Sequence, residues 1–218
     1  MRQAMIVQGG WDGHDPIKVS KLFGELLEAE GFKVMIYDTL EPFANLELLL
    51  GQSLIVPVWT MGTIESESAQ NVLKAVEAGV GIAGCHGGMC DAFRESTDWQ
   101  FLTGGQWVAH PGNDGVTYTV ELRRGSSPIT DGLSDFQVCT EQYYLHVDPA
   151  IEVLATTRFP VVDGPHAVNG TVDMPVVWTK RWGAGRVFYN SLGHQAKVFE
   201  VPEAKELMRR GFLWAARG

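Results

Sequence analysis

The strongest constraint in this sequence is the alternation, within its first 85 residues, of short apolar runs with stretches of helical periodicity. Ala4 to Gln8, Phe32 to Tyr37, Ser53 to Trp59 and Val80 to Cys85 have the length and composition of strands buried on both faces. Asp15 is placed to cap a helix with Pro16 at its first position, and Val19, Leu22, Phe23, Leu26 and Leu27 recur at helical spacing until Gly31 ends it. A second helix is expected from a Ser66 cap, carrying Val72, Leu73 and Val76 and stopping at Gly79. Elements in this order join by crossovers, so an α/β fold with a largely parallel sheet covered on both faces is expected.

After Gly112 the rhythm changes. Val116 to Leu122, Phe136 to Thr140, Glu152 to Thr157 and Pro175 to Trp182 read as strands without helices between them, which predicts antiparallel additions in the C-terminal half. Trp178 to Trp182, Gly183-Ala184-Gly185 and Arg186 to Leu192 form the clearest hairpin, because glycine supplies the turn. Pro202 opens a last helix with Ala204, Leu207, Met208, Gly211 and Ala215 on one side. There is no internal repeat, linker or low-complexity tract, and 218 residues with 45% hydrophobic composition suit one domain, residues 1–218.

A formal charge of −9 with no basic run argues against nucleic acid and anionic membrane surfaces as partners. Met1 to Gly10 is already strand-like, with no charged-then-apolar leader, and no apolar stretch approaches the length of a membrane span. Cys85, Cys90 and Cys139 are too few for a disulfide framework, and a cytoplasmic location is expected. Cys90 and Cys139 read as packing residues. An exposed sheet edge or the aromatic loops could support a homo-oligomer.

Open parallel sheets bind ligands beyond the carboxyl ends of their strands. His14 follows the first strand, His86 the fourth, His146 a Tyr-rich segment, and His194 the strand Arg186 to Leu192. His110 shares a loop with Trp107, and His166 lies in a Pro/Gly-rich loop suited to solvent. Gly81 to Met89, a strand running into a glycine pair before an expected helix from Met89 to Arg94, resembles a nucleophile elbow, whose apex needs small residues two positions to either side. Two registers fit. With Cys85 at the apex, Ala83 and Gly87 flank it, as in cysteine hydrolases of the class I glutamine amidotransferase-like superfamily. With His86 at the apex, Gly84 and Gly88 do, and Cys85 becomes a core residue. The second is preferred, because both small positions are then glycine and the buried strand keeps its full length. Glu141 and His146 pair a carboxylate with a histidine in one short segment, but residues five apart face opposite sides of a flat strand, so both enter one site only if the segment bends near Pro149. His194 lies where the superfamily's base would be, without its following carboxylate.

Gly9 to His14, Gly84-Cys85-His86, Gly104 to Trp107 with His110, Glu141-Gln142-Tyr143 and, most specifically, Pro175 to His194 together resemble the ThuA-like, or trehalose-utilisation, family. The resemblance implies a flavodoxin-like or class I glutamine amidotransferase-like three-layer sandwich and a link to disaccharide or glycoside utilisation, with a sugar or a sugar-derived carbonyl compound as small-molecule partner. His86, Glu141, His146 and His194 are the candidate catalytic residues. Trp11, Asp12, His14, Trp107, His110 and Tyr143 are the candidate substrate contacts, with Tyr144 a further aromatic surface for a sugar ring. His86, His146 and His194 are candidate metal ligands with zinc as the expected ion, although no close metal-binding spacing is present and the fold must bring them together. Two alternatives stand beside this reading: a Cys85 nucleophile with His86 or His194 as base, giving an amidase, peptidase or glyoxalase-like activity, and a non-catalytic sugar-binding or regulatory protein.

Overall fold

Alternate residues of the first strand, β1 (Gln3–Gly10), enter two different cores: Ala4 and Ile6 join one, Met5 and Val7 the other. The computed structural model describes residues 1–125 and 127–218. The same alternation recurs in β3 (Leu54–Thr60), where Leu54 and Val56 oppose Ile55, and in β4 (Gly81–Cys85), where Ala83 and Cys85 oppose Ile82. A two-residue period with both faces apolar is what a sheet between two helical layers requires.

With β2 (Lys33–Tyr37), these strands and β11 (Gly185–Asn190) form five parallel neighbours in the order β2-β1-β3-β4-β11. The sheet then continues antiparallel through β10 (Val172–Trp182), β9 (Glu152–Phe159), β6 (Val116–Leu122) and β7 (Phe136–Thr140). On one face lie α1 (Pro16–Ala29) and α6 (Pro202–Ala215), which bring Val19, Phe23 and Leu27 against Leu207, Met208 and Phe212. On the other lie α2 (Leu46–Leu50), α3 (Ser66–Glu77) and α5 (Thr97–Thr103), with Leu49, Val72, Val76, Trp99 and Leu102 in the second core. The α/β class, the parallel sheet and the antiparallel C-terminal additions are as the sequence predicts.

Four antiparallel steps separate β11 from β7, so β7 runs in the same direction as the parallel strands and delivers its carboxyl end to the same edge. Among the described residues the β6–β9 ladder pairs just Glu121↔Thr156 and Leu122↔Ala155, with Arg123 N–H donating to Leu154 O beyond its end. That short seam leaves most of the β6-β7 hairpin free of the main sheet, and its Tyr118 and Val138 pack into the α1/α6 core with Phe199.

Several local expectations are corrected. Ser66 does not cap α3: it is the first helical residue, and the capping position belongs to Glu65, whose side chain makes no capping bond. The helix expected from Met89 to Arg94 is instead the short α4 (Gly87–Cys90). It stops because the chain is diverted into a bridge, with Met61 N–H donating to Asp91 O at 2.8 Å and Phe93 N–H to Met61 O at 3.2 Å. A separate two-stranded ribbon of β5 (Gly105–Ala109) and β8 (Tyr144–Val147) was not legible, since its partners are distant in sequence and both strands are short. Cys139 is exposed on β7 rather than packed, while Cys85 and Cys90 are buried, and all three are unpaired. No described helix is long and apolar enough to cross a membrane.

Candidate functional site

The β4-to-α4 turn decides between the two elbow registers. His86 holds φ 47° and ψ −140°, a strained conformation for a residue with a side chain, costing about 1–3 kcal/mol. The flanking glycines are sterically required: a Cβ on Gly84 would lie 2.9 Å from Met89, and one on Gly88 3.0 Å from the Val58 backbone. His86 is therefore the apex. Cys85 ends the strand beneath it, and burial pushes its thiol far above the ordinary range.

Three further side chains converge on His86. The loop after β1 turns through Asp12–His14 and carries buried His14 across Gly87, where a Cβ would sit 2.5 Å from the His14 ring. The segment after β11 brings in His194, and the end of β7 brings in Glu141. Candidate ligand atoms of His14, His86, Glu141 and His194 all lie within 4.8 Å of one another, and all four residues are buried. His14, expected as a substrate contact, thus joins the candidate ligand set.

Second partners fix the orientation of these groups. His86 Nδ1 lies 2.7 Å from the Ser191 carbonyl. A carbonyl only accepts, so Nδ1 carries the proton and the neutral ring has its lone pair on Nε2. That Nε2 faces Glu141 Oε2 at 3.1 Å. His194 Nδ1 is 3.4 Å from the same oxygen but outside hydrogen-bonding geometry, and is buried without a hydrogen-bond partner among the described residues. His14 Nδ1 bonds Thr60 Oγ1 at 2.8 Å. Burial, reinforced by His86 and His194, drives His14 down to about 2, so it is neutral at any working pH. Burial also lowers His86, against the raising effect of Glu141. Burial alone would raise Glu141, but the two imidazoles facing it, His194 and His86, outweigh that and hold the carboxyl below its usual range.

Around this cluster the aromatic residues form walls. Tyr143 stacks on His86 with centroids 3.9 Å apart. Trp107 lies 5.4 Å from the His110 ring, whose Nε2 is 3.8 Å from Glu141 Oε1, and half-exposed Trp11 meets the edge of His14 at 4.8 Å. Two expected residues stay outside. His146 is a correction: it sits on β8 opposite Gln106 and is exposed, since the chain leaves strand geometry at residues 141–143 and pairing of β8 with β5 then carries His146 away from Glu141. Asp12 is also exposed, contributing its backbone carbonyl to the Asp15 N–H. Thr60 and Ser191 had no sequence signal beyond their position at strand ends. Nor did buried Asp91, which receives Arg94 through two bonds of 2.6 and 3.0 Å while the guanidinium lies over Trp107 at 4.6 Å.

The sequence matches the family described as trehalose utilisation, ThuA, over residues 3–215. The chain belongs to the ThuA family. Among solved structures it is similar to a ThuA-like protein from Bacteroides uniformis, at 20% identity and a TM-score of 0.77, covering 98% of this chain and 91% of that one. A cytoplasmic protein from Salmonella typhimurium LT2 superposes with a TM-score of 0.69 at 12% identity, each chain covered over 100%. A cold-adapted β-galactosidase from Rahnella sp. R3 gives 0.63 at 15% identity, over 99% of this chain but 30% of that one. These likenesses confirm the fold. A search of curated protein sequences found no match. The ThuA assignment gives the cluster a carbohydrate-related context, and its four donors are compatible with a metal site.

Proposed function

We propose that this ThuA protein is an enzyme acting on a sugar or a sugar-derived carbonyl compound, and that His14, His86, His194 and Glu141 hold a divalent metal, zinc by preference. The observation that carries the reading is the opposition of His86 Nε2 and Glu141 Oε2 at 3.1 Å. With Nδ1 committed to Ser191, a neutral His86 and an ionised Glu141 present lone pairs to each other, an arrangement that needs a shared proton or cation between them. His194 Nδ1 adds a buried nitrogen in want of a partner. The donor set of three imidazoles and one carboxylate suits zinc. The Ser191 carbonyl and the Thr60 hydroxyl supply the outer contacts that orient ligating imidazoles.

Such a metal, when bound with an open position, activates water or polarises a carbonyl. The chain's own residues do the rest. Tyr143 backs His86 and fixes its plane, Trp107 and Trp11 offer ring faces for a sugar, and His110 at the rim places an imidazole beside the free oxygen of Glu141. A small-molecule sugar is the proposed partner. The Cys85 reading is not favoured, because the thiol is buried below the apex and held protonated. Elemental analysis of purified protein, followed by turnover assays on oxidised and unoxidised disaccharides with the metal-loaded enzyme, tests the proposal. One zinc per chain in the wild type and loss of both metal and turnover in His86→Ala are expected. Wild-type protein that takes up no divalent metal would sink it.

A further inference from the structure

A second concave site lies at the same edge of the sheet, where the loop after β3 meets the segment between α4 and α5. Its volume is about 270 Å³, the scale of one sugar ring, and Thr63, Ser66, Glu95, Ser96, Thr97 and Asp98 supply its polar lining. Ser96 Oγ accepts the Trp99 N–H and one oxygen of Asp98 accepts from Gln70, while Thr63, Ser66, Glu95 and Thr97 are exposed and bond no described residue, so their side chains face solvent and are open to a ligand. Ile64 and Phe93 give the cleft an apolar side.

The chemistry of this lining selects a ligand class. Two carboxylates and no cation repel phosphate and carboxylate groups. Arg94, next in sequence to the cleft, is turned to Asp91 and Trp107. Hydroxyls that donate and accept, beside carboxylates that only accept, complement a ligand rich in hydroxyl groups. Phe93 in the wall and Met61 beside it also hold unusual conformations, with φ 50° and 60°, and the bonds from Met61 N–H to Asp91 O and from Phe93 N–H to Met61 O pin the two loops together. Strain of this kind persists where the surroundings enforce it, and it collects at ligand clamps. The loop is continuous with the metal cluster, since Gly62 lies two residues beyond Thr60, the partner of His14.

We infer that this cleft is a second subsite for a neutral polyol of one-ring size, receiving the part of a glycoside that does not sit on the His86–Glu141 cluster. The inference rests on the carbohydrate reading of the ThuA site. An NMR titration of the full-length ¹⁵N-labelled protein with trehalose, D-glucose and D-glucose 6-phosphate tests it. Saturable shifts in residues 62–69 and 93–98 are expected with both neutral sugars and not with the phosphorylated one. Glu95→Gln with Asp98→Asn should weaken glucose binding at least about tenfold, and Thr63→Trp, at an exposed position, should fill the cleft and abolish it. Shifts confined to the surroundings of His86, or binding lost in Glu141→Gln but kept in Thr63→Trp, would overturn the second subsite while leaving the carbohydrate reading intact. Equal binding of the phosphorylated sugar, calcium binding without sugar binding, or no shift with any of the three would also overturn it. Zinc content of the same samples reports independently on the cluster.

Discussion

His86 Nε2 stands 3.1 Å from Glu141 Oε2 while Nδ1 of the same ring donates to the Ser191 carbonyl at 2.7 Å. The two contacts fix both tautomer and orientation, and they join segments 55 and 105 residues from His86 in the chain. The site is therefore sensitive to groups that touch the imidazoles from outside.

Thr60→Val tests that sensitivity at His14. The change keeps the side-chain shape and the backbone bond from Trp11 N–H to Thr60 O, but removes the hydroxyl 2.8 Å from His14 Nδ1. Zinc affinity, measured by competition with a chromophoric chelator, should fall about 10- to 100-fold with little change in Tm. Unchanged affinity would separate Thr60 from the proposed metal site.

Gly211→Ala opposes helix propensity to packing. Alanine is favoured over glycine within a helix by about 1 kcal/mol. At this position, however, a Cβ would lie 2.2 Å from the Phe188 ring, and both α6 and β11 are central to the core. Packing should win, with a net loss of about 1–3 kcal/mol by urea denaturation. A stabilised variant would mean that α6 can shift freely.

Lys180 and Asp148 form a nearly buried pair at 2.6 Å, with side chains 6% and 15% exposed, and the ammonium also reaches the Phe101 carbonyl. Hydrogen bonding from Lys180 holds Asp148 below its ordinary pKa. Asp148→Asn leaves the lysine charge uncompensated and should cost about 3 kcal/mol. Lys180→Met with Asp148→Asn should recover part of that loss, because neither partner is then left charged and alone.

Arg209 ties α6 to Glu30 at the end of α1, at 2.6 Å, and pairs with Glu206 on its own helix at 2.7 Å. Bonding from Arg209 lowers Glu206 from 4.5 to about 2 in the folded protein. A carboxyl depressed on folding stabilises the fold fully above its unfolded value and loses that contribution as pH falls through the folded one. Arg209→Ala should therefore cost about 1 kcal/mol at pH 7, a gap that closes between pH 4.5 and about 2. A pH-independent difference in chemical denaturation would contradict this.

Alkylation distinguishes the three thiols. Cys139 is exposed and should react with iodoacetamide in the native protein, while Cys85 and Cys90 are buried, with their thiols pushed up by burial, and should react only on unfolding. Rapid native modification of Cys85 would revive it as a nucleophile.

Local pattern was enough to determine the parallel half of the sheet, helices α1 and α6, and the elbow. Each depends on near neighbours: apolar alternation, Pro16 and Pro202 at helix starts, and glycines two places either side of His86. The histidines after β1, β4 and β11 follow from the same logic, since a parallel strand delivers its last residues to one edge. Membership of the cluster did not follow. Glu141 reaches His86 only because four antiparallel steps restore the direction of β7 and its hairpin leaves the sheet early. His146, five residues on, is carried away by pairing with β5, a contact between segments whose local sequence announces neither strand. Strand direction and long-range pairing are properties of the assembled sheet, and the tertiary structure alone decided which carboxylate and which imidazoles meet.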